Sequence, residues 1–189
     1  MFIELHSRSA FSFLEGTTLP EDLIATCSHL NMPAMALLDR DGVYGAPRFY
    51  MAAKKAKIKA HLGAEVTCEF SPQSHRDTEK KIKPSVSNSS VPLCLRGEFR
   101  LPLLVSSRSG YQNLCRLITK MKLRSKKGEG AVCQDELQEH AAGLICLTGG
   151  HDGLLAAALA QGGMEEARHA VESLTGIFGR GNVYVELQR

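Results

Sequence analysis

Tryptophan is absent from this 189-residue chain, and aromatic residues of all kinds make up 6%. Any core must therefore be aliphatic, built from Leu, Ile, Val, Ala and Met. The cysteines, at 27, 68, 94, 115, 133 and 146, form no Cys-x-x-Cys pair and lie far apart. That excludes a disulfide framework and the usual zinc-ligand spacing. They stand mostly in apolar runs such as Leu144-Ile145-Cys146, which reads as reduced, partly buried thiols in a cytosolic setting. No run approaches the ~18 consecutive apolar residues of a membrane-spanning helix. The opening residues show no basic segment followed by an apolar stretch, so no secretory signal is read. Charge of one sign is also lacking: 23 Lys+Arg against 20 Asp+Glu leave +3. Contact with nucleic acid would then need a local basic patch.

What is present is ordinary globular composition, 43% hydrophobic and 23% charged, in a length suited to one domain. Strands are read at Phe2–Leu5, Ala34–Leu38, His61–Phe70, Leu101–Val105, Gly143–Leu147 and Asn182–Leu187. Helices are read from Leu19 to Leu30, Phe49 to Ile58, Gly110 to Met121, Leu154 to Leu159 and Glu165 to Ile177. The run Ala34–Leu38 is apolar throughout, as in a parallel strand buried on both faces. Strand–helix alternation predicts an α/β fold with parallel strands and right-handed crossovers. Residues 71–92 are Ser-rich, with isolated apolar residues, and read as a flexible surface insertion. The sequence stops directly after a strand, so an incomplete barrel is expected.

Ionisable residues gather where the strands end: His6 and Arg8, Glu15, Asp39 and Arg40, and Glu65 within the third strand. Arg100 precedes the fourth. In α/β folds the carboxyl ends of parallel strands carry the functional side chains. Taken singly each of these is a solvated charge; taken together they mark a site.

The blocks ELHSRSAFSFLEG (4–16), ALLDRDGVYGAPRFYMAAKKA (36–56), HLGAEV (61–66), LPLLVSSRSGYQNLCRL (101–117), GLICLTGG (143–150) and VYVELQR (183–189) resemble the PHP (polymerase and histidinol phosphatase) domain of bacterial DNA polymerase III alpha subunits. The error-prone polymerase branch is the nearest in appearance. The resemblance implies a distorted PHP-type β/α barrel over residues 1–189, incomplete at its C-terminus. It also implies a mouth where His and carboxylates hold divalent ions, zinc or manganese, for phosphoester hydrolysis or 3′–5′ exonuclease proofreading. Against that pattern this chain departs. The His-x-His block reads His6-Ser7-Arg8, and Asp-Gly reads Glu15-Gly16. Thr-Asp-His reads Leu38-Asp39-Arg40, Gly-x-Glu is intact at Gly63-Ala64-Glu65, and a His before the fourth strand is Arg100.

An arginine stays protonated and offers no lone pair to a metal. The expectation is that Arg8, Arg40 and Arg100 replace ions by pairing with Glu15, Asp39 and Glu65. No metal is expected; if one binds, His6, Glu15, Asp39 and Glu65 are its ligands. The functional reading is the PHP portion of a bacterial error-prone DNA polymerase, a DNA-directed nucleotidyltransferase of replication and repair. This portion would be a non-catalytic platform docking the remaining polymerase domains or accessory proteins, cytoplasmic and without membrane. The alternatives are a metal-dependent phosphoesterase, or a module binding phosphate or DNA through the arginines. A second basic run, Lys120, Lys122, Arg124, Lys126 and Lys127, is a possible contact to a DNA backbone or a solvated helix end. His29, His75, His140 and His169 read as surface or structural. His151, after Gly149-Gly150, is placed at the surface or at the barrel mouth.

Overall fold

The computed structural model describes residues 2–69, 98–126 and 128–187. The Ser-rich stretch 71–92, His75, Cys94 and Lys127 lie outside the described residues. The elements run β1 (Glu4–Ser7), α1 (Pro20–His29), β2 (Ala34–Arg40), α2 (Ala46–Ala56), β3 (Lys59–Glu69), β4 (Glu98–Val105), α3 (Arg108–Arg124), β5 (Val132–Cys133), α4 (Gln134–His140), β6 (Leu144–Leu147), α5 (Leu154–Phe178) and β7 (Val183–Tyr184). One mixed sheet in the order β1-β2-β3-β4-β6-β7, with β5 beside β3, curls into an incomplete α/β barrel.

The expectation of an all-parallel sheet is corrected at β4. This strand runs antiparallel to both β3 and β6, whereas β1–β2, β2–β3 and β6–β7 are parallel. A single crossover helix would have returned β6 parallel to β4. Instead α3, β5 and α4 intervene, the last two unread from sequence, and the added reversal brings β6 back antiparallel. Arg100 is also corrected: it lies inside β4, not before it. Of the strand read at 182–187, only Val183–Tyr184 pairs.

Helix ends follow local chemistry. Pro20 opens α1 with Glu21 and Asp22 in its first turn, where the helix dipole favours acids. Ser107 caps α3 by accepting from the Gly110 amide at 3.1 Å. α5 breaks at Gly163 (φ 68°, ψ −151°), a conformation open to glycine, and this separates the two helices read there from sequence.

Alternation along the strands sorts the side chains. Met35 and Leu37 of β2 pack with Ile24, Cys27 and Phe49 of α1 and α2. Ala64, Val66 and Cys68 of β3 and Phe99, Leu101 and Leu103 of β4 pack with Leu114, Leu117 and Met121 of α3 and Leu154 and Leu174 of α5. The intervening residues face the inside of the curl. There Ala36, Leu38, Leu104 and Leu147 form a small inner layer. Arg40, Glu65 and Arg100 share the phase of that inner layer, which places all three at its open end.

Leu103 is fully buried and Leu123 is exposed. Leu103→Ala is expected to lower unfolding free energy by ~2–5 kcal/mol in a urea titration. Leu123→Ala on α3 should change it by no more than about 0.5 kcal/mol.

Candidate functional site

Five segments meet at the open end of the inner layer: the end of β1 with its following loop, the end of β2, β3, β4, and the residues after β7. Glu65 is at their centre, inside β3 and 2% exposed. A carboxylate this deep needs compensating charge or hydrogen bonds. Its Oε1 accepts from Arg8 Nη2 at 2.8 Å and lies 3.2 Å from His6 Nε2. Arg100 Nη1 stands 3.8 Å from Oε2. His6 and Arg8, two residues apart on an extended backbone, reach the same carboxylate from one side.

Glu15 is the second centre. Arg100 grips it with two parallel bonds, Nη1 to Oε2 and Nη2 to Oε1, both 2.8 Å. Such forked pairing is the strong geometry for guanidinium and carboxylate. Arg40 Nη1 donates to Glu15 Oε1 at 2.5 Å, and Arg8 Nη1 lies 3.6 Å from Oε2. Arg40 Nε also faces Asp41 Oδ2 at 3.7 Å.

Asp39 is a correction. It was expected to pair with arginine, but it faces the other way. Adjacent strand residues point to opposite faces, so Asp39 cannot join Arg40 on the inner side. It is buried in a cage of neutral donors: Ser9 N at 2.9 Å, Ser9 Oγ at 2.8 Å, Ser12 Oγ at 2.9 Å and Gly45 N at 3.2 Å. A Cβ at Gly45 would come within 2.6 Å of Asp39 Oδ2, so the close approach requires glycine. Asp39 thus ties the 9–16 loop, which carries Glu15, to the start of α2.

Sequence reasoning assigned no role to Glu186, Ser9 or Ser12. Glu186 Oε1 lies 2.7 Å from His6 Nδ1. Its backbone is held by Thr148 at the end of β6, whose Oγ1 accepts from the Glu186 amide at 3.0 Å. The available signal was a carboxylate directly after the last strand; its partner was invisible because 180 residues separate the two.

The electrostatics follow from these contacts. Burial opposes a charge on His6, but the Glu186 and Glu65 carboxylates outweigh it and raise its pKa to about 9. At neutral pH the ring is an imidazolium donating from both nitrogens. Burial likewise works against ionising Glu15 and Glu65. Arg100 and Arg40 at the first, and His6 and Arg8 at the second, hold both below the usual carboxylate range. Four cations (His6, Arg8, Arg40, Arg100) are thereby matched by Glu15, Glu65, Glu186 and Asp41.

A cavity of about 360 Å³ opens above the cluster. Arg8, Glu15, Glu65 and Arg100 line one side, and His151 with Gly153 at the start of α5 the other. His151 is therefore at the mouth, largely exposed and 3.2 Å from Asp152. The basic run on α3 is elsewhere. There Lys120 pairs with Glu139 at 2.7 Å, and Arg124 pairs with Glu136 and donates to the Ala131 carbonyl.

The family model of the PHP domain matches residues 4–189. This chain belongs to the PHP domain family. Over its whole length it is 33% identical to an error-prone DNA polymerase of Mycolicibacterium paratuberculosis, of which it covers 16%. It is 30% identical to the DNA polymerase III subunit alpha of Borreliella burgdorferi, covering 15%. The PHP chain thus spans about a sixth of the length of these curated relatives. A solved amidohydrolase from Chromobacterium violaceum aligns over 90% of this chain and 54% of its own, with TM-score 0.41 and 14% identity.

Metal chemistry in this PHP domain can be tested against the donors. Both oxygens of Glu15, one of Glu65, both nitrogens of His6 and the whole of Asp39 are engaged within the protein. Among the described residues no three His, Cys, Asp or Glu side chains converge as a ligand set. A divalent cation at Glu15 would have to displace the Arg100 guanidinium, while Glu65 Oε2 is buried without a hydrogen-bond partner.

Because the folded pKa of His6 lies above its ordinary 6.5, its ion pairs stabilise the fold in full below about pH 6.5. That contribution is lost as pH rises towards about 9. Glu15 and Glu65 act oppositely, their contribution falling away as pH drops below the usual carboxylate range. Thermal unfolding of the wild type should show a decline in Tm between pH 6.5 and 9 that His6→Gln removes; an unchanged decline would exclude His6 as its source.

Proposed function

We propose that this PHP domain is a non-catalytic structural part of a bacterial error-prone DNA polymerase, acting in the cytoplasm during replication and damage-associated synthesis. Its relatives are named as such polymerases and as polymerase III alpha subunits. The observation that carries the non-catalytic reading is the forked grip of Arg100 on Glu15, beside Arg8 and His6 on Glu65. Guanidinium groups fill the positions from which carboxylates would reach a cation, and an arginine contributes no lone pair in exchange.

In this reading the cluster works as a clamp. Glu65 on β3 is joined to β1 through His6 and Arg8, and to the residues after β7 through His6 and Glu186. Glu15 joins the 9–16 loop to β2 and β4 through Arg40 and Arg100. The two edges of the open sheet are thus held without a metal, leaving a firm body against which the remaining polymerase domains or an accessory protein can pack. The competing reading, a metal-dependent phosphoesterase or 3′–5′ exonuclease, requires His6, Glu15, Asp39 and Glu65 to be free to ligate.

The test is elemental analysis by plasma mass spectrometry after incubation with zinc and manganese followed by desalting. Less than about 0.1 ion per chain is expected, since ligands already committed to hydrogen bonds bind metal poorly. One or more retained ions per chain, lost on Glu65→Gln, would overturn the proposal and support the phosphoesterase.

A further inference from the structure

Sixteen basic side chains fall among the described residues, six of them paired and ten not; of the ten, Arg108, Arg116, Lys122, Lys126, Arg168 and Arg180 are spread over residues 108–180, and the other four stand together. Arg8, Arg40, Arg48, Arg100, Lys120 and Arg124 each lie within ion-pair distance of a carboxylate. Lys54, Lys55, Lys57 and Lys59 do not, and all four are exposed. They occupy the last turn of α2, the left-handed residue that ends it (Lys57, φ 59°) and the first residue of β3. Residues 46–64 contain no acid. His61, two residues further along β3, is exposed as well.

The topology gathers this charge at one end of the molecule. Lys59 pairs in register with Ala34 at the start of β2, while Glu65 pairs with Arg40 at its end. Six residues of strand at ~3.3 Å each separate Lys59 from the buried cluster by about 20 Å. The acids of the first turn of α1, Glu21 and Asp22, stand at the opposite end of that helix. Glu21 is in any case paired with Arg48. Glu4, at the start of β1, accepts from the His6 amide at 2.8 Å.

We infer that the α2–β3 corner, Lys54, Lys55, Lys57 and Lys59, is a contact surface for the phosphate backbone of duplex DNA. Four neighbouring ammonium groups with no counter-ion among the described residues form a positive surface in a chain whose net charge is only +3. DNA presents its charges at ~1.7 Å intervals along the axis, so several phosphates fall within reach of one corner. Lysine serves as a point charge for phosphate without reading bases. The contact is therefore independent of sequence and weakens steeply with salt. The surface lies away from the arginine cluster, so DNA held there is anchored and not presented to the cavity. The α3 run singled out from sequence is the weaker candidate, because two of its cations are committed to α4.

Only the choice of DNA as the polyanion rests on the polymerase reading. Metal retention would overturn that reading and leave a duplex titration unaffected, whereas absent duplex binding would overturn only the lysine surface.

The experiment is fluorescence anisotropy of a labelled duplex titrated with the full chain. Two charge-matched variants are compared: Lys54→Gln/Lys55→Gln/Lys57→Gln/Lys59→Gln, and Arg108→Gln/Arg116→Gln/Arg168→Gln/Arg180→Gln. All eight positions are exposed, so both variants retain the fold. Four neutralised phosphates give a log–log salt slope of about −3.6, or roughly a hundredfold loss of affinity for a fourfold rise in salt. The corner variant should bind at least about tenfold more weakly at low salt and with a shallower slope, while the control stays within about threefold of wild type. No duplex binding by the wild type overturns the inference. So does equal weakening in the two variants, or binding of polyglutamate or phosphatidylserine vesicles as tight as that of DNA.

Discussion

Everything near the mouth of this domain depends on one constraint: a carboxylate, Glu65, is carried into the sheet by β3 and must not be left alone there. In a low-dielectric setting an unpaired charge costs several kcal/mol or more. Here the compensation is built from protein cations. Arg8 and His6 reach Glu65 from β1, and Arg100 approaches from β4. Because those partners come from distant parts of the chain, neutralising one charge also fixes how β1, β3, β4 and the post-β7 segment sit together. Glu186 extends the same logic by giving the His6 ring a second carboxylate.

The cluster is therefore a tertiary lock that happens to occupy a cavity. Each of its arginines is bonded to a carboxylate, Arg100 through two parallel hydrogen bonds and Arg8 and Arg40 through one each. The densest group of cations without a carboxylate partner among the described residues lies elsewhere, on the α2–β3 corner. Charge that stabilises the fold and charge available to a partner are thus segregated to opposite ends of the strands. Segregation of this kind keeps one function from disturbing the other, because a polyanion at the corner is about 20 Å from the lock and its field is screened over that distance.

Much of this was legible before any coordinates. The apolar run of β2, the amphipathic spacing of α3, the Pro-opened α1 and the resemblance blocks were enough for an α/β barrel with charged residues at its mouth. The same alternation rule that places Arg40 inside the curl would also have turned Asp39 away from it. That inference was available, and the assumption of one arginine per acid overrode it. The direction of β4 was not available. Strand patterning reports burial, which is the same for either direction, and the β5–α4 pair that adds a reversal is too short to stand out by periodicity.

By itself, then, the sequence determined most of the element types, the aliphatic composition of the core and the resemblance to the PHP family. Those are properties of residue type and local spacing. Tertiary structure alone decided which acid each cation meets, that Glu186 closes the site across 180 residues, that Asp39 serves a serine-lined loop, and which lysines remain unpaired. A charge finds its partner through three-dimensional proximity and burial. Neither quantity is encoded in the order of residues until the sheet has curled and brought its edges together.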